Sequence, residues 1–516
     1  MPVVSLHRNF RRRPAIRWQP WLAALCLAGL SACASLAERA GNASTSTDPA
    51  ATAAPQAGTA WLQAHGEQAR PADDPALARW WAQLADPTLE ALVQQALDHN
   101  TDLRSAQASL QQARAVRAAT EAGGRPQLGS SASLGRSRSA GQNRNSVELG
   151  FSASWEPDWW GQQAAGLQAA QADVQAAAGQ WQATRLALVA ETGLAYTAWR
   201  DAQARLDLNR DSLARLERLR QLTDWRAQAG LASGLDAEQA RLAVQQGEAA
   251  LPPLATEVAQ GLHQLALLTG QTPAALAAQA SRWPEAAGLP GVDTALAPLT
   301  LGVPADLLRR RPDLRAAEAS VRAQWARREQ TVLDGLPSLT LSGSLGWQAA
   351  TLAALGGPAS GLAAVAANVD WAWFDGGQRQ AQVQQQDAVL QQARVAYEAA
   401  VLTAVKDVED SLVALHQSRL RLQALAAADH SAQTVRQLTG QQQAAGLVDL
   451  RTLLSTEREA LSARSSLQSG QADVSLNLMR LYKALGGGWS EADLAPAVAD
   501  RPNDRPNNHP TDRPDV

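Results

Sequence analysis

The spacing of apolar positions changes period several times along this chain, and each change marks a different element. In two regions the period is two. Leu128, Ala132 and Leu134 alternate with Gly129, Ser131 and Ser133; beyond a glycine-bearing loop, Val147, Leu149, Phe151, Ala153 and Trp155 alternate with small or polar residues. The pattern returns in Leu339, Leu341, Leu345 and Trp347, and again in Val365, Ala367, Val369, Trp371 and Trp373. Such alternation sends successive side chains to opposite faces of a strand. It predicts strands over 127–136, 146–156, 338–347 and 363–374. Each has the length of a tilted transmembrane β-strand.

Alternation describes a soluble sheet with one buried face equally well. The opposite face decides between them: it is made of Ser, Thr, Gly and Asn with few charges, which suits a wet lumen. The register then turns Val147, Leu149, Phe151, Val365 and Val369 to lipid, and Ser152 and Asn368 to the lumen. Trp155, Trp159, Trp160, Trp347, Trp371 and Trp373 are candidates for an interfacial aromatic girdle.

After each strand pair the period lengthens to that of a helix. Residues 162–227 contain no proline, and 378–439 neither proline nor glycine. At 1.5 Å per residue each would reach about 100 Å. Leu167, Val174, Trp181 and Leu188 recur every seven residues, as do Val383, Leu390, Tyr397 and Ala404, the signature of a coiled-coil seam. Each long helix meets a glycine turn, at Gly230 or Gly446, and returns, over 236–268 with a break expected at Pro252-Pro253, and over 450–485.

The whole arrangement is written twice. Asp102-Leu103-Arg104 recurs as Asp313-Leu314-Arg315, and Pro126 as Pro337, shifted by 211; Gly161, Gly230 and Gly270 recur as Gly377, Gly446 and Gly486, shifted by 216. A period near 200 is too long for a solenoid repeat and indicates a duplicated domain-sized unit. The expected divisions are a first repeat over 76–279 with its hairpin at 162–268, a linker over 280–301, and a second repeat over 302–489 with its hairpin at 378–485.

Composition supports long helices, being rich in Ala, Leu, Gln and Arg, with 17 Trp but only 3 Phe and 3 Tyr among 516 residues. Residues 1–32 read as a lipoprotein signal peptide: Arg8, Arg11, Arg12, Arg13 and Arg17 precede a short apolar run ending Leu30-Ser31-Ala32-Cys33. Cys33 is the expected lipid attachment site, and the absence of Asp at position 34 favours outer-membrane sorting. Residues 33–75, rich in Ala, Ser, Thr, Pro and Gly, read as a lipidated tether, and 490–516 as a disordered tail. Removing the signal's five arginines takes the formal charge from −3 to −8, which argues against nucleic acid.

Cys26 lies within the signal, so no thiol remains for a disulfide, a metal or catalysis. The seven His are scattered without metal-ligand spacing, and Gly356 to Gly361 has P-loop spacing but is followed by Leu362 instead of Lys. No cofactor and no enzymatic activity are expected.

Four strands cannot sit in lipid with open edges, because unpaired backbone groups there are costly. The sheet must close by oligomerisation, with eight strands from two copies or twelve from three. The segment from Gly302 to Glu318 (GVPADLLRRRPDLRAAE) resembles the hallmark opening the second repeat of the outer-membrane factor family, the TolC-like, OprM/NodT-type lipoproteins serving RND efflux pumps. Trp373-Phe374-Asp375-Gly376-Gly377 is similar to that family's motif at the end of the last strand, and Leu481 to Trp489 to its terminal motif.

The resemblance covers residues 80–489. It implies a mainly helical homotrimer with a 12-stranded transmembrane β-barrel, four strands per subunit, continued by a periplasmic coiled-coil tunnel. It also implies a periplasmic adaptor and an inner-membrane pump as partners, with passive efflux of drugs or other small molecules. In relatives an acidic residue after the second glycine turn rings the periplasmic mouth; the matching position here is Ser455, with Asp449 and Glu457 as acidic neighbours and Arg451 within pairing reach. Competing readings are a channel for type I protein secretion or metal export, and a lipid-anchored periplasmic coiled-coil scaffold without a pore.

Overall fold

A computed structural model describes residues 61–63, 68–69, 75–139, 142–283, 288–297, 300–301 and 310–490. The expected signal peptide, Cys33 and the tail beyond Ser490 lie outside them. The principal elements in chain order are α1 (Pro87–His99), α2 (Thr101–Gly123), β1 (Gln127–Ser139), β2 (Gln142–Trp155), α3 (Gln162–Gln228), α4 (Gly234–Leu268), α5 (Pro273–Ala280), α6 (Val292–Leu296), α7 (Pro312–Leu333), β3 (Ser338–Ala349), β4 (Gly361–Asp370), α8 (Gln378–Ala444) and α9 (Leu450–Ala484).

The four strands form one antiparallel sheet in the order β1-β2-β3-β4. Its register stacks the apolar rows on one face: Leu149 lies between Ala132 and Trp347, Phe151 beside Leu345, and Leu339 opposite Val369. The other face carries Ser152 against Ser344 and Thr340 against Asn368. The first pair is longer than the alternation predicted, reaching Ser139 and resuming at Gln142, because ladder bonds need only backbone partners and continue past the last apolar position. β4 stops at Asp370, four residues short of expectation, where its partner strand begins at Ser338. Trp371 and Trp373 therefore follow the strand.

The helices repeat with one offset. α3 and α8 each span 67 residues and α4 and α9 each span 35, and all four boundaries of the second pair lie 216 beyond those of the first. Each long helix reaches about 100 Å. In the second hairpin the seam is buried at Tyr397, Val401, Ala404 and Val408, spaced four, three and four as in a coiled coil, and continues at Leu415 and Leu422, each seven residues on. In the first, Leu188 is buried but Leu167, Val174 and Trp181 are only half-buried.

The break expected at Pro252-Pro253 does not occur: α4 runs through both prolines. Both are exposed, so the carbonyls left without N–H partners face water and the helix stays intact.

The main core lies where the middle of α3 and α8 meets the far ends of α4 and α9, packed by the segments around α1, α5 and α6. Trp80, fully buried, stacks on Tyr482 at 5.4 Å and meets Trp81 edge-on at 6.0 Å. Gly193 makes room for this cluster; a Cβ there would lie 3.1 Å from the Met479 sulfur and 3.3 Å from the Trp80 ring. Tyr196 donates to Asp86 Oδ2 at 3.0 Å, and Asp86 Oδ1 caps α1 by accepting from Thr88 and Leu89 N–H.

Described residues within both expected connectors pack on the helices. At the end of the expected tether Trp61 is 6% exposed, and the Leu62 and Gln63 N–H groups donate to the Glu409 carboxylate at 2.8 and 3.0 Å. In the expected linker, Arg419 donates to the carbonyls of Ala295 and Ala297, fixing α6 on α8, and Thr300–Leu301 pairs with Gln68–Ala69.

Candidate functional site

Two regions can carry function: the sheet and the far tips of the hairpins. The apolar face of the sheet is open along its length in the single chain. Val365 is 93% exposed, Leu128 85%, Leu134 81% and Val369 68%. An apolar surface of that continuity marks a contact with lipid or protein. Val147, Leu149 and Phe151 share this face, and Ser152 and Asn368 the polar one.

Five of the six tryptophans nominated for a girdle gather where the strands meet the helices. Trp155 Nε1 donates to Gly124 O at 3.1 Å and Trp160 Nε1 to Pro337 O at 2.7 Å; Trp159, Trp371 and Trp373 are exposed beside them. Trp347 stands apart. Its partners are Leu149 and Gly361, six residues along β3 from Leu341, the partner of Trp155. That separation is about 20 Å.

The motif residues around the joints are structural. Asp375 accepts from the Gly377 and Arg379 N–H groups at 3.0 Å, opening α8, and those donors hold its carboxyl below the usual carboxylate range. Pro312 and Asp313 begin α7, as the sequence suggests. Arg311 is held by both Asp313 oxygens, by Asp407 and by the Ala484 carbonyl, while Trp489 donates to Arg310 O at 3.1 Å. Segments 173 and 179 residues apart in sequence thus meet at the end of α9. Gly486, at φ 76°, caps that helix.

At the tips, Gly230 and Gly446 hold φ of 72° and 73°. The next N–H groups, of Leu231 and Leu447, return to Arg226 O and Gln442 O, closing each long helix with a left-handed cap. Asp449 is the N-cap of α9: its carboxylate accepts from Thr452 N–H at 2.9 Å, and the Thr452 hydroxyl first, then that N–H, lower its pKa, with a smaller contribution from the Arg451 charge. Arg451 is exposed and makes no ion pair with Asp449 or Glu457 among the described residues.

Glu457 is not a free acid on the tip surface. Its carboxylate turns inward, 3.6 Å from Arg215 of α3 and 3.5 Å from Arg436 of α8. Ser455 is half-buried and donates to Glu459 at 3.1 Å. Leu450 and Leu454 pack on Ala240, Leu216, Leu219 and Ala243, so these leucines join the two hairpins of one chain.

No group of three or more His, Cys, Asp or Glu suited to a metal occurs among the described residues, nor does any helix long and apolar enough to cross a membrane.

The comparisons with known proteins agree with this geometry. The outer membrane efflux protein family matches residues 92–271 and 303–487, the two repeats. The toluene efflux pump outer membrane protein TtgF of Pseudomonas putida is 29% identical over 81% of this chain and 87% of its own length. The outer membrane protein OprJ of Pseudomonas aeruginosa is 30% identical over 80% and 86%. The solved outer-membrane channel OprN superposes with a TM-score of 0.74 at 30% identity, covering 84% of this chain and 98% of that one. The fold is that of the TolC-like outer-membrane channels, and the chain belongs to the outer membrane efflux protein family.

Proposed function

We propose that this chain is the outer-membrane exit duct of a tripartite efflux assembly, working as a homotrimer. The observation that carries the proposal is a four-stranded sheet with a bare apolar face and two unpaired edges, continuous with two hairpins of 67-residue and 35-residue helices. β1 of one copy would pair with β4 of the next, and three copies would close twelve strands around a lumen lined by Ser152, Ser344, Thr340 and Asn368. The hairpins would continue that lumen through the periplasm as a tube.

Such a duct needs no catalytic group and no cofactor. Cargo would move down a gradient maintained by an inner-membrane RND-type pump and its periplasmic adaptor. The name of TtgF, a toluene efflux protein, supports small organic cargo. Lipid on Cys33 would anchor the chain, with the barrel crossing the membrane independently of it. At the mouth, Ser455 would stand where relatives carry an acid, leaving closure to packing and hydrogen bonds.

The test replaces Cys33 by Ala behind a cleavable signal. The variant should be extracted from membranes as a trimer by light scattering and should form conducting pores in planar bilayers. A soluble periplasmic monomer without conductance would instead establish the scaffold reading.

A further inference from the structure

The sheet's apolar face does not stay apolar to its end. On β1 the row Leu128, Ala132, Leu134 continues as Arg136 and Arg138, and on β2 the row Phe151, Leu149, Val147 continues as Asn145 and Asn143. The register sets Arg136 opposite Asn145 and Arg138 opposite Asn143, so all four share the face of the lipid-directed rows. All four are exposed. From Trp155 to Val147 the apolar row rises about 27 Å along the strand, or about 20 Å along the normal at a tilt near 40°, close to the height of a barrel's apolar band. The polar pairs begin where that band ends.

This end of the sheet is remote from the helices. α2, α3, α7 and α8 all join the strands at the Trp155 end, and the β1–β2 and β3–β4 connections close the other. If the helices occupy the periplasm, the arginines lie at the outer leaflet. The charge there is one-sided: residues 134–147 and 348–362 contain Arg136, Arg138 and Arg144 and no Asp or Glu. The strand that would close against β1 in the trimer is β4, whose outer end belongs to that acid-free stretch. Glu148 lies on the polar face, held by Gln348 at 2.6 Å and Ser133 at 3.3 Å. At the opposite rim Arg379 is spent on the carbonyls of Gly335 and Ala372, among tryptophans. The two rims are therefore built for different surroundings.

We propose that Arg136 and Arg138, with Asn143 and Asn145, bind the phosphate groups of a multiply phosphorylated lipid headgroup in the outer leaflet. The inference rests on the outer-membrane barrel reading. Two arginines whose backbones are about 7 Å apart along one strand, with amide donors on the neighbouring strand, offer charge-assisted hydrogen bonds to more than one phosphate oxygen. Their stems lie over the last apolar residues while the heads reach the headgroup layer. Arg144, on the polar face, points to the lumen side and takes no part.

The experiment compares purified full-length trimers of the wild type, the double variant Arg136→Gln/Arg138→Gln, and Arg144→Gln. Each is reconstituted in phosphatidylcholine vesicles containing bisphosphorylated lipid A or its dephosphorylated form. Retained lipid is read by native mass spectrometry and trimer persistence by heating. Each arginine near an anionic lipid surface strengthens attachment about fivefold, so the double variant should retain bisphosphorylated lipid about thirtyfold more weakly. Arg144→Gln should match the wild type, and the dephosphorylated lipid should bind all three alike.

Equal retention by wild type and double variant, or an equal loss in Arg144→Gln, would overturn the site. Inorganic phosphate added to vesicles of the dephosphorylated lipid should leave trimer persistence on heating unchanged, and stabilisation equal to that by the bisphosphorylated lipid would overturn the lipid assignment. A wild type that never enters vesicles would sink the barrel reading together with this one.

Discussion

Well above the turns, the two hairpins carry the same clamp. Arg205 of α3 meets Glu257 of α4 at 3.1 Å, and 216 residues later Arg421 of α8 meets Asp473 of α9 at 2.6 Å. At the tips the charges have parted. Arg241 of α4 bonds Glu238 and faces Asp224 of α3; its counterpart in α9 is Glu457, which faces Arg436 of α8 and also reaches Arg215 in the first hairpin. The caps differ in the same way, a Ser233–Asp236 capping box against a single Asp449 cap. Duplication preserved what holds each pair of helices together. It diverged at the tips, where the hairpins meet each other and Glu457 of the second bonds across to Arg215 of the first.

That asymmetry can be broken most severely at Glu457. Glu457→Arg would bring three cations together in a site where the carboxylate side chain is 14% exposed. A loss of about 2–3 kcal/mol is expected, reduced from the fully buried case because both arginines are partly solvated. Thermal unfolding of the purified protein measures it. Arg241→Glu should cost clearly less, since Arg241 is half exposed and Arg220 continues to pair with Asp224; equal losses would remove the distinction between the tips.

Next in size is the mouth. If the second hairpin alone borders the threefold axis, Ser455→Asp should strengthen divalent-cation block of single-channel conductance roughly tenfold, since three converging carboxylates in a low-dielectric constriction attract a divalent ion strongly. Gln239→Asp, at the matched and likewise half-buried position of the first hairpin, should leave block unchanged. Identical block curves for the two variants would refute the placement.

The turn glycines sharpen the comparison from the side of likeness. Gly230→Ala and Gly446→Ala place a Cβ at φ near 70°, where nothing crowds it but the backbone itself is strained. Each should cost about 1–2 kcal/mol, and a marked difference in denaturation midpoint would mean that one turn is additionally held. The smallest effects belong to the clamps. Arg205→Ala and Arg421→Ala should each lose about 0.2–1 kcal/mol, as partly exposed ion pairs do, and by similar amounts in thermal melts.

The strands and their faces were legible because period-two alternation is local and survives any tertiary context. Their ends were not, since β4 stops where Ser338 ceases to offer a partner. The helix lengths followed from the missing prolines, yet Pro252-Pro253 was misread, because whether a proline breaks a helix depends on where the freed carbonyls point. Trp61 gave no warning: a lone aromatic in an Ala-, Ser- and Thr-rich segment has no periodicity, and its pocket is built by residues far along the chain. Glu457 was visible as an acid near the turn, but Arg436 lies 21 residues before it and Arg215 lies in the other repeat. No sequence spacing records that meeting.

The sheet order β1-β2-β3-β4 leaves every chain with two different free edges, β1 and β4, each carrying unpaired N–H and C=O groups. On the proposed threefold closure each copy is a neighbour to both others, so a single faulty edge opens the whole ring. In a cell making equal amounts of a sound chain and one with a spoiled β4 edge, random assembly would leave roughly one-eighth of the rings intact. An allele of that kind would behave as genetically dominant, whereas one that prevents the chain from folding at all would withdraw from assembly and behave as recessive.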